Sequence, residues 1–264
     1  PSPTTTVASG EPPAIAAPKN DLSWTDCTSA LFGGAGTPPA PGVILECADY
    51  DADLDPVAGA TGTLSIGAVR ARSVQTPPDA GPLVFTTGSD LPSSVQLPVW
   101  LSRSGADVLK SHPIVAVDRR GMGRSSPIDC RDVFDRELMR EQAQFDSGDD
   151  PVAALGTVTT TATTGCTDII APGESAYDNA RAAEDLERLR STWDVPALAL
   201  IGIGNGAQVA MAYTGSHPDK VARLVLDSPI APGVGAESAA EDQVKAQQAA
   251  LDAFAAQCVA VNCA

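Results

Sequence analysis

Residues Leu198-Ala-Leu-Ile-Gly202-Ile-Gly204-Asn205-Gly206-Ala207 run an apolar strand into a tight, glycine-rich turn and out into a helix. The run Ala197-Leu-Ala-Leu-Ile201 is short and continuously apolar, the pattern of a strand covered on both faces. Residues 207 to 216 are apolar nearly all round, which predicts a deeply packed helix, and His217-Pro218 ends it. A strand, turn and helix of this form with serine at the apex, between two glycines, lifts a nucleophilic hydroxyl above a sheet. Here the flanking glycines are Gly202 and Gly206, and the apex is Gly204, which has no side chain. Attack on a carbonyl and retention of the acyl group both need a side-chain nucleophile, so no acyl-enzyme is expected through position 204. A non-glycine residue at such an apex stores on the order of 1–3 kcal/mol of backbone strain, which glycine avoids. The turn is therefore expected to be kept and relaxed.

The flanking sequence repeats the strand signal. Pro82-Leu-Val-Phe-Thr86, Ile114-Val-Ala-Val117 and Val221-Ala-Arg-Leu-Val-Leu226 are short apolar runs, and Thr63-Leu-Ser-Ile-Gly-Ala-Val69 alternates as a half-buried strand does. Between them, Ala176 to Trp193 places Ala182, Leu186, Leu189 and Trp193 on one helical face. Ser175 with Asp178 gives that helix a capping-box-like start, and Glu184 stands four residues before Arg188. Strands alternating with helices imply a mostly parallel sheet with right-handed crossovers. Asp129 to Gly173, rich in Thr, Asp and Gly, reads as an excursion from this core. After Asp227 a long Ala/Gln/Glu helix carries Val244, Leu251, Phe254, Ala255 and Cys258 on one stripe. The expected organisation is a Pro/Thr/Ser/Ala linker over 1–20, too poor in apolar residues to order itself, a core over 21–231 beginning near Trp24, and the start of a helical cap over 232–264.

Seventeen Lys and Arg against 33 Asp and Glu give a net charge of -16. That charge repels phosphate backbones and anionic headgroups, so nucleic acid is not an expected partner. No apolar run is long enough to span a bilayer. The six cysteines include no CxxC pair and stand beside only two histidines, which supports disulfides over a zinc site. Pairing sequence neighbours closes the smallest loops: Cys27 with Cys47, Cys130 with Cys166, and Cys258 with Cys263. Other pairings of six cysteines remain open at this stage. A disulfide framework behind a Pro/Thr-rich leader suits an exported or cell-envelope protein, anchored through a lipid on a residue before Pro1.

After the Ile114 strand comes Asp118-Arg119-Arg120-Gly121-Met122-Gly123-Arg124-Ser125, and the glycine-rich turn follows later with its helix and strand. In this order the chain resembles the tripeptidyl-aminopeptidase-like branch of the α/β-hydrolases, exported actinobacterial serine peptidases. Glu46-Cys47-Ala-Asp-Tyr50 is similar to the family's opening segment, and Pro218-Asp-Lys-Val-Ala-Arg-Leu-Val-Leu-Asp227 to its strand after the elbow. The resemblance implies an α/β-hydrolase-like doubly wound, mostly parallel sheet with the start of a helical cap, and ancestry in peptide or ester hydrolysis without a cofactor. It also implies that Asp118, Arg120, Gly121 and Gly123 form a structural loop. Three departures accompany it. The family's serine maps onto Gly204, its glycine-rich oxyanion loop maps onto Thr86-Thr87-Gly88-Ser89-Asp90-Leu91 with one glycine left, and its acid and histidine would follow strands beyond Ala264. His112 and His217, each in a His-Pro step, read as turn residues. The N–H groups of Asn205, Thr87 and Gly88 are the oxyanion-hole candidates.

The expected function is that of a hydrolase relative which binds a peptide-like or lipidic ligand without turning it over. The alternative is an active hydrolase completed by a carboxy-terminal segment with another nucleophile. In either case the cap helix and sheet edge are expected to meet a further segment or partner chain. A rival reading takes Gly202-x-Gly204-x-x-Ala207 as a dinucleotide fingerprint with Asp227 as the ribose ligand. Asp49-x-Asp51-x-Asp53-x-Asp55 invites a calcium loop, but Leu54 and Ala60 stand where Gly and Glu are needed. A solvated acidic turn is expected there, and no metal.

Overall fold

Alternation decides the sheet. In the computed structural model, which describes residues 13–35, 41–55, 60–104, 106–131, 133–141, 150–230, 233–261 and 263, the strands are β1 (Thr25–Asp26), β2 (Val43–Asp55), β3 (Ala60–Ser73), β4 (Leu83–Thr86), β5 (Ile114–Val117), β6 (Leu198–Ile203) and β7 (Val221–Asp227). They form one sheet in the order β1-β2-β3-β5-β4-β6-β7. The run β5-β4-β6-β7 is parallel, and β1, β2 and β3 join antiparallel to its β5 edge. The helices are α1 (Thr28–Ala35), α2 (Ser93–Ser104), α3 (Val133–Glu141), α4 (Pro151–Ile170), α5 (Asn179–Trp193), α6 (Gly206–Ser216) and α7 (Ala236–Val261).

Because neighbouring side chains on a strand face opposite ways, the central strands feed two cores. Val84, Val115 and Leu200 pack with Leu186, Leu189 and Val209 of α5 and α6. Phe85, Ala116 and Ile201, each one residue on, pack with Leu97 and Leu101 of α2. The apolar runs of β4, β5 and β6 are thus strands buried on both faces, as central parallel strands require. The run over 221–226, expected to be covered in the same way, is instead the edge strand β7 with Leu224 and Val225 exposed.

Two expectations are corrected. The acidic run is no turn: Asp49, Asp51 and Asp53 lie on the solvated side of β2, while Tyr50 and Ala52 between them are buried. Carboxylates two residues apart on one strand face stand roughly 7 Å apart, so they do not converge on a cation. Asp55 is buried and is met by the Arg181 guanidinium, Nε to Oδ1 3.0 Å. The second correction concerns the leader. Residues 1–12 lie outside the described part, but residues 13–20 lie along the core, where Lys19 N donates to Trp193 O at 2.9 Å and Arg223 Nη1 to Pro13 O at 3.0 Å.

The cap of α5 differs in detail from the sequence reading. Asp178, not Ser175, is the N-cap and accepts from Arg181 N at 2.9 Å. Asp178→Ala should therefore lower stability by about 1 kcal/mol, read as a melting temperature lower by ~2–4 °C. An unchanged melting curve would show that the cap does not act. Glu184 meets His217 rather than Arg188, which reaches Asp51 O. The excursion is helical, comprising α3 and α4, with Asp150 capping α4 ahead of Pro151. Threonines inside α4 return their hydroxyls to carbonyls one turn back, Thr157 to Ala153 and Thr161 to Thr157. The sulfurs are joined as Cys27–Cys47, Cys130–Cys166 and Cys258–Cys263. Val244, Leu251 and Phe254 on α7, and Val225 on the edge strand β7, are exposed.

Candidate active site

The glycine-rich turn is built as its sequence demands. Gly204 stands between β6 and α6 with φ +56°, the left-handed region that glycine enters without strain. Its N–H donates to Asp227 O at 2.9 Å, which ties the turn to the end of β7. Gly206 lies so close to the loop after β4 that a Cβ there would stand 1.9 Å from Thr86 O. Gly88, φ +62°, returns the approach, since its Cβ would stand 2.6 Å from Asn205 C. Glycine at both positions lets two backbones touch, so the loop Thr86–Leu91 sits against the apex.

What this loop delivers is a carboxylate. Asp90 Oδ2 accepts from Asn205 N at 3.0 Å, and Asp90 Oδ1 accepts from the Asn205 side-chain amide. A Cβ on Gly204 would lie 2.5 Å from Asp90 Oδ2. Asp90 thus fills the space a side chain at the apex would take, and its charge lies at the amino-terminal end of α6, where the helix dipole favours an anion. The other two oxyanion-hole candidates are also engaged: Thr87 N donates to Ser93 Oγ at 3.1 Å and Gly88 N to Thr86 Oγ1 at 3.3 Å. Sequence reasoning brought Asn205, Thr87, Gly88, Gly202 and Gly206 to one place, and they are found there. It missed Asp90, whose partner is 115 positions away and which nothing local links to the turn.

Asp118 and Arg120 hold this arrangement from behind. Asp118 accepts from Ser94 N and Ser94 Oγ, both at 2.7 Å, and from Arg124 N at 2.9 Å. It thereby anchors the start of α2, whose Ser93 orients Thr87. Gly121 and Gly123, at φ +81° and +55°, turn the loop, and a Cβ on Gly123 would strike Asp118 Oδ2 at 2.3 Å. Arg120 is buried and pairs at long range with Asp185, Nε to Oδ2 2.8 Å and Nη2 to Oδ1 2.6 Å. Burial pushes the Asp185 carboxyl above its ordinary value, and hydrogen bonds from Arg120 offset part of that.

Neither histidine serves the apex. His217 lies at the far end of α6, roughly 16 Å along the helix by its length, with Nε2 3.0 Å from Glu184 Oε1. His112 precedes β5, at the opposite end of the parallel strands, with Nδ1 2.8 Å from Gly81 O. The dinucleotide reading is not supported by the geometry. A pyrophosphate on the α6 amino terminus would meet the Asp90 carboxylate, which already accepts from Asn205 N there. Among the described residues, no three metal-ligating side chains cluster, and no helix is long and apolar enough to cross a membrane.

Beside the turn a groove of ≈ 740 Å³ is lined by the amides of Asn179, Asn205 and Gln208 and by Met211, Ile230 and Val234. Its polar floor is ordered: Arg119 Nη1 donates to Asn179 Oδ1, whose Nδ2 donates to Gln208 Oε1 at 2.9 Å. Burial lowers the pKa of the Arg119 guanidinium from its ordinary value.

A sheet with this crossover order and a glycine-flanked turn after β6 agrees with the comparisons. The α/β hydrolase fold family matches residues 87–264, and the chain belongs to that family. Serine protease Hip1 of Mycobacterium tuberculosis is 25% identical over 245 residues, covering 90% of this chain and 45% of that protein. A tripeptidyl aminopeptidase of Streptomyces lividans is 23% identical over 155 residues, 58% of this chain and 29% of that one. The chain thus spans about half the length, or less, of the curated relatives it matches. Among solved structures, Cfl2 from Burkholderia cenocepacia superposes with a TM-score of 0.41 at 17% identity, over 75% of this chain and 47% of that one.

Proposed function

We propose that this protein is an exported relative of serine peptidases that binds a peptide-like ligand in the groove beside the turn and does not hydrolyse it through position 204. One observation carries the reading: the apex is Gly204, and the volume its side chain would fill is held by the Asp90 carboxylate on the Asn205 N–H. Serine-type acyl transfer needs a hydroxyl at the apex and a free N–H for the developing oxyanion. Gly204 offers no hydroxyl, and Asn205 N–H is occupied by the Asp90 carboxylate. The apolar side chains of the groove, and the amide atoms that its hydrogen bonds among the described residues leave over, Asn205 Oδ1 and Gln208 Nε2, suit a chain of alternating peptide groups and side chains. A lipidic acyl chain would offer those two atoms no partner. Three disulfides support an oxidising, extracellular setting.

Asp90 also favours a second reading, an active hydrolase in which a carboxylate beside the apex replaces the serine. The two readings separate on full-length protein treated with a fluorophosphonate probe and a panel of fluorogenic peptides and esters. The expected result is neither labelling nor turnover, with saturable peptide binding that weakens in Gln208→Leu. Turnover that vanishes in Asp90→Asn would establish the second reading. Labelling of the unmutated protein would overturn both. In Gly204→Ser the new Cβ displaces the flexible end of Asp90, and the left-handed backbone costs about 1–2 kcal/mol. Labelling gained only in that variant would place the lost chemistry at this residue.

A further inference from the structure

At the opposite end of the parallel strands from Gly204 lies a second cavity, of ≈ 370 Å³. Prolines shape it: Pro77, Pro78 and Pro82 approach β4, Pro113 precedes β5, and Pro18 belongs to the segment crossing them. Trp24 and Trp193 give it aromatic walls, and Glu46 of β2 with Arg70 and Arg72 of β3 give it a charged one. Glu46 is directly opposite Arg70 in the sheet register, with Arg72 on the adjacent diagonal.

The polar groups of this cavity are satisfied except for donors. Glu46 Oε2 accepts from Arg70 Nε at 2.8 Å and from Arg72 Nε at 2.9 Å, and Oε1 accepts from Arg72 Nη2 at 2.9 Å. Arg70 Nη1 donates to Asp21 Oδ2 at 2.7 Å, and its guanidinium lies 4.5 Å above the Trp24 ring. Among the described residues this leaves Arg70 Nη2 and Arg72 Nη1 without a protein acceptor. The indoles differ in the same sense. Trp24 Nε1 donates to Asp21 Oδ1 at 2.8 Å. Trp193 is 1% exposed, and its Nε1 is, among the described residues, the buried side-chain nitrogen or oxygen with no hydrogen-bond partner. An indole N–H can only donate, and a buried donor left unmet is costly enough that native structures rarely keep one without reason.

We propose that this cavity binds a small organic acid: a carboxylate for the free edges of Arg70 and Arg72, and a flat or cyclic apolar body between the prolines and indoles, against the Trp193 ring. The volume lies within the range of small-molecule sites, and a guanidinium edge suits a carboxylate. The free carboxy terminus of a proline-ended peptide and a free aromatic or cyclic acid share this chemistry. The site is separate from the groove beside Gly204, so it stands or falls independently of the reading given for that groove.

The test follows the indole N–H resonances of the intact chain, ¹⁵N-labelled at its three tryptophans, during titration with benzoate, N-acetylproline, a proline-ended tripeptide and, as neutral control, benzamide. The Trp193 signal, assigned by its loss in Trp193→Phe, is expected to shift saturably with the acids, while that of Trp100 stays in place. If Trp193→Phe does not fold, loss of the other two signals in Trp24→Phe and Trp100→Phe makes the assignment. Arg72→Met leaves the Glu46–Arg70 pair and should weaken binding about tenfold or more, the effect of one charge-assisted hydrogen bond. A tighter tripeptide identifies a peptide terminus as the source, and a tighter small acid a free metabolite. An absent or unsaturable shift overturns the proposal. So does an equal response to benzamide, or unchanged affinity in Arg72→Met.

Discussion

Arg120→Met is expected to destabilise the protein by about 3–5 kcal/mol, because it removes one partner of a buried ion pair and leaves the other charged. All five guanidinium donors are engaged: to both Asp185 oxygens, and to the carbonyls of Asp53, Leu54 and Ala176. Both side chains are almost fully enclosed, at 0% and 3% exposure. Without the guanidinium, three carbonyls at the end of β2 and before α5 lose a donor, and Asp185 keeps only the burial that raises its pKa. The pH dependence follows from that direction. An acid whose folded pKa is raised contributes stability that is present below its unfolded value and lost as pH rises through the folded one. The deficit of Arg120→Met against the unmutated protein should therefore be smallest in acid and widen toward neutral pH. Thermal unfolding at the two ends of that range should show a neutral-pH melting temperature lower by on the order of 10 °C. Adding Asp185→Leu, which removes the stranded charge, should restore a large part of the loss. A deficit independent of pH and unrelieved by the second substitution would show that the pair does not act as a buried charge pair.

The same pair shows what could be read in advance. The family resemblance implied a structural role for the loop Asp118-Arg119-Arg120-Gly121-Met122-Gly123. Its partners could not be read, since Asp185 lies 65 positions from Arg120 and Ser94 lies 24 from Asp118. The strands β4, β5 and β6 were legible because both faces are buried and the apolar runs are continuous, and β7 because its run is equally apolar although it forms the exposed edge. β2 was not, because Asp49, Asp51 and Asp53 on its wet face outweigh the buried Tyr50 and Ala52 in any reading by composition, although the period-two alternation was there to be counted. The helix α4 hid behind threonines, poor helix formers in isolation, although Asp150-Pro151 is a start signal. At the turn, Gly204 was visible as a missing side chain. Asp90, which fills the gap, was visible only as a loop residue, since long-range contacts and not local pattern bring it there.

Gly206→Ala is the substitution with the greatest expected effect on the turn itself, and three glycines of one segment rank differently by what a Cβ would meet. At Gly206 the added carbon would stand 1.9 Å from Thr86 O, 2.5 Å from Thr86 C and 2.8 Å from Thr87 Cα. All three are backbone atoms at and just past the end of β4, where Thr86 pairs with Gly202 of β6, so the loop carrying Asp90 must lift away from α6. The expected cost is about 3 kcal/mol or more, at or beyond the upper end of ordinary overpacking. Separation of the loop should also release the Asn205 N–H from Asp90. At Gly204 the near atom is Asp90 Oδ2, the far end of a flexible side chain, so Gly204→Ala should cost only the left-handed backbone, about 1–2 kcal/mol. At Gly215, later in the same helix, nothing lies within 4 Å, and Gly215→Ala should stabilise by about 0.5–1 kcal/mol through helix propensity. Denaturant unfolding of the three variants tests the order, and amide hydrogen exchange at Asn205 tests the loop. Protection of Asn205 unchanged in Gly206→Ala, with all three variants equal in stability, would mean that the loop is not pressed against the turn by the absence of that Cβ.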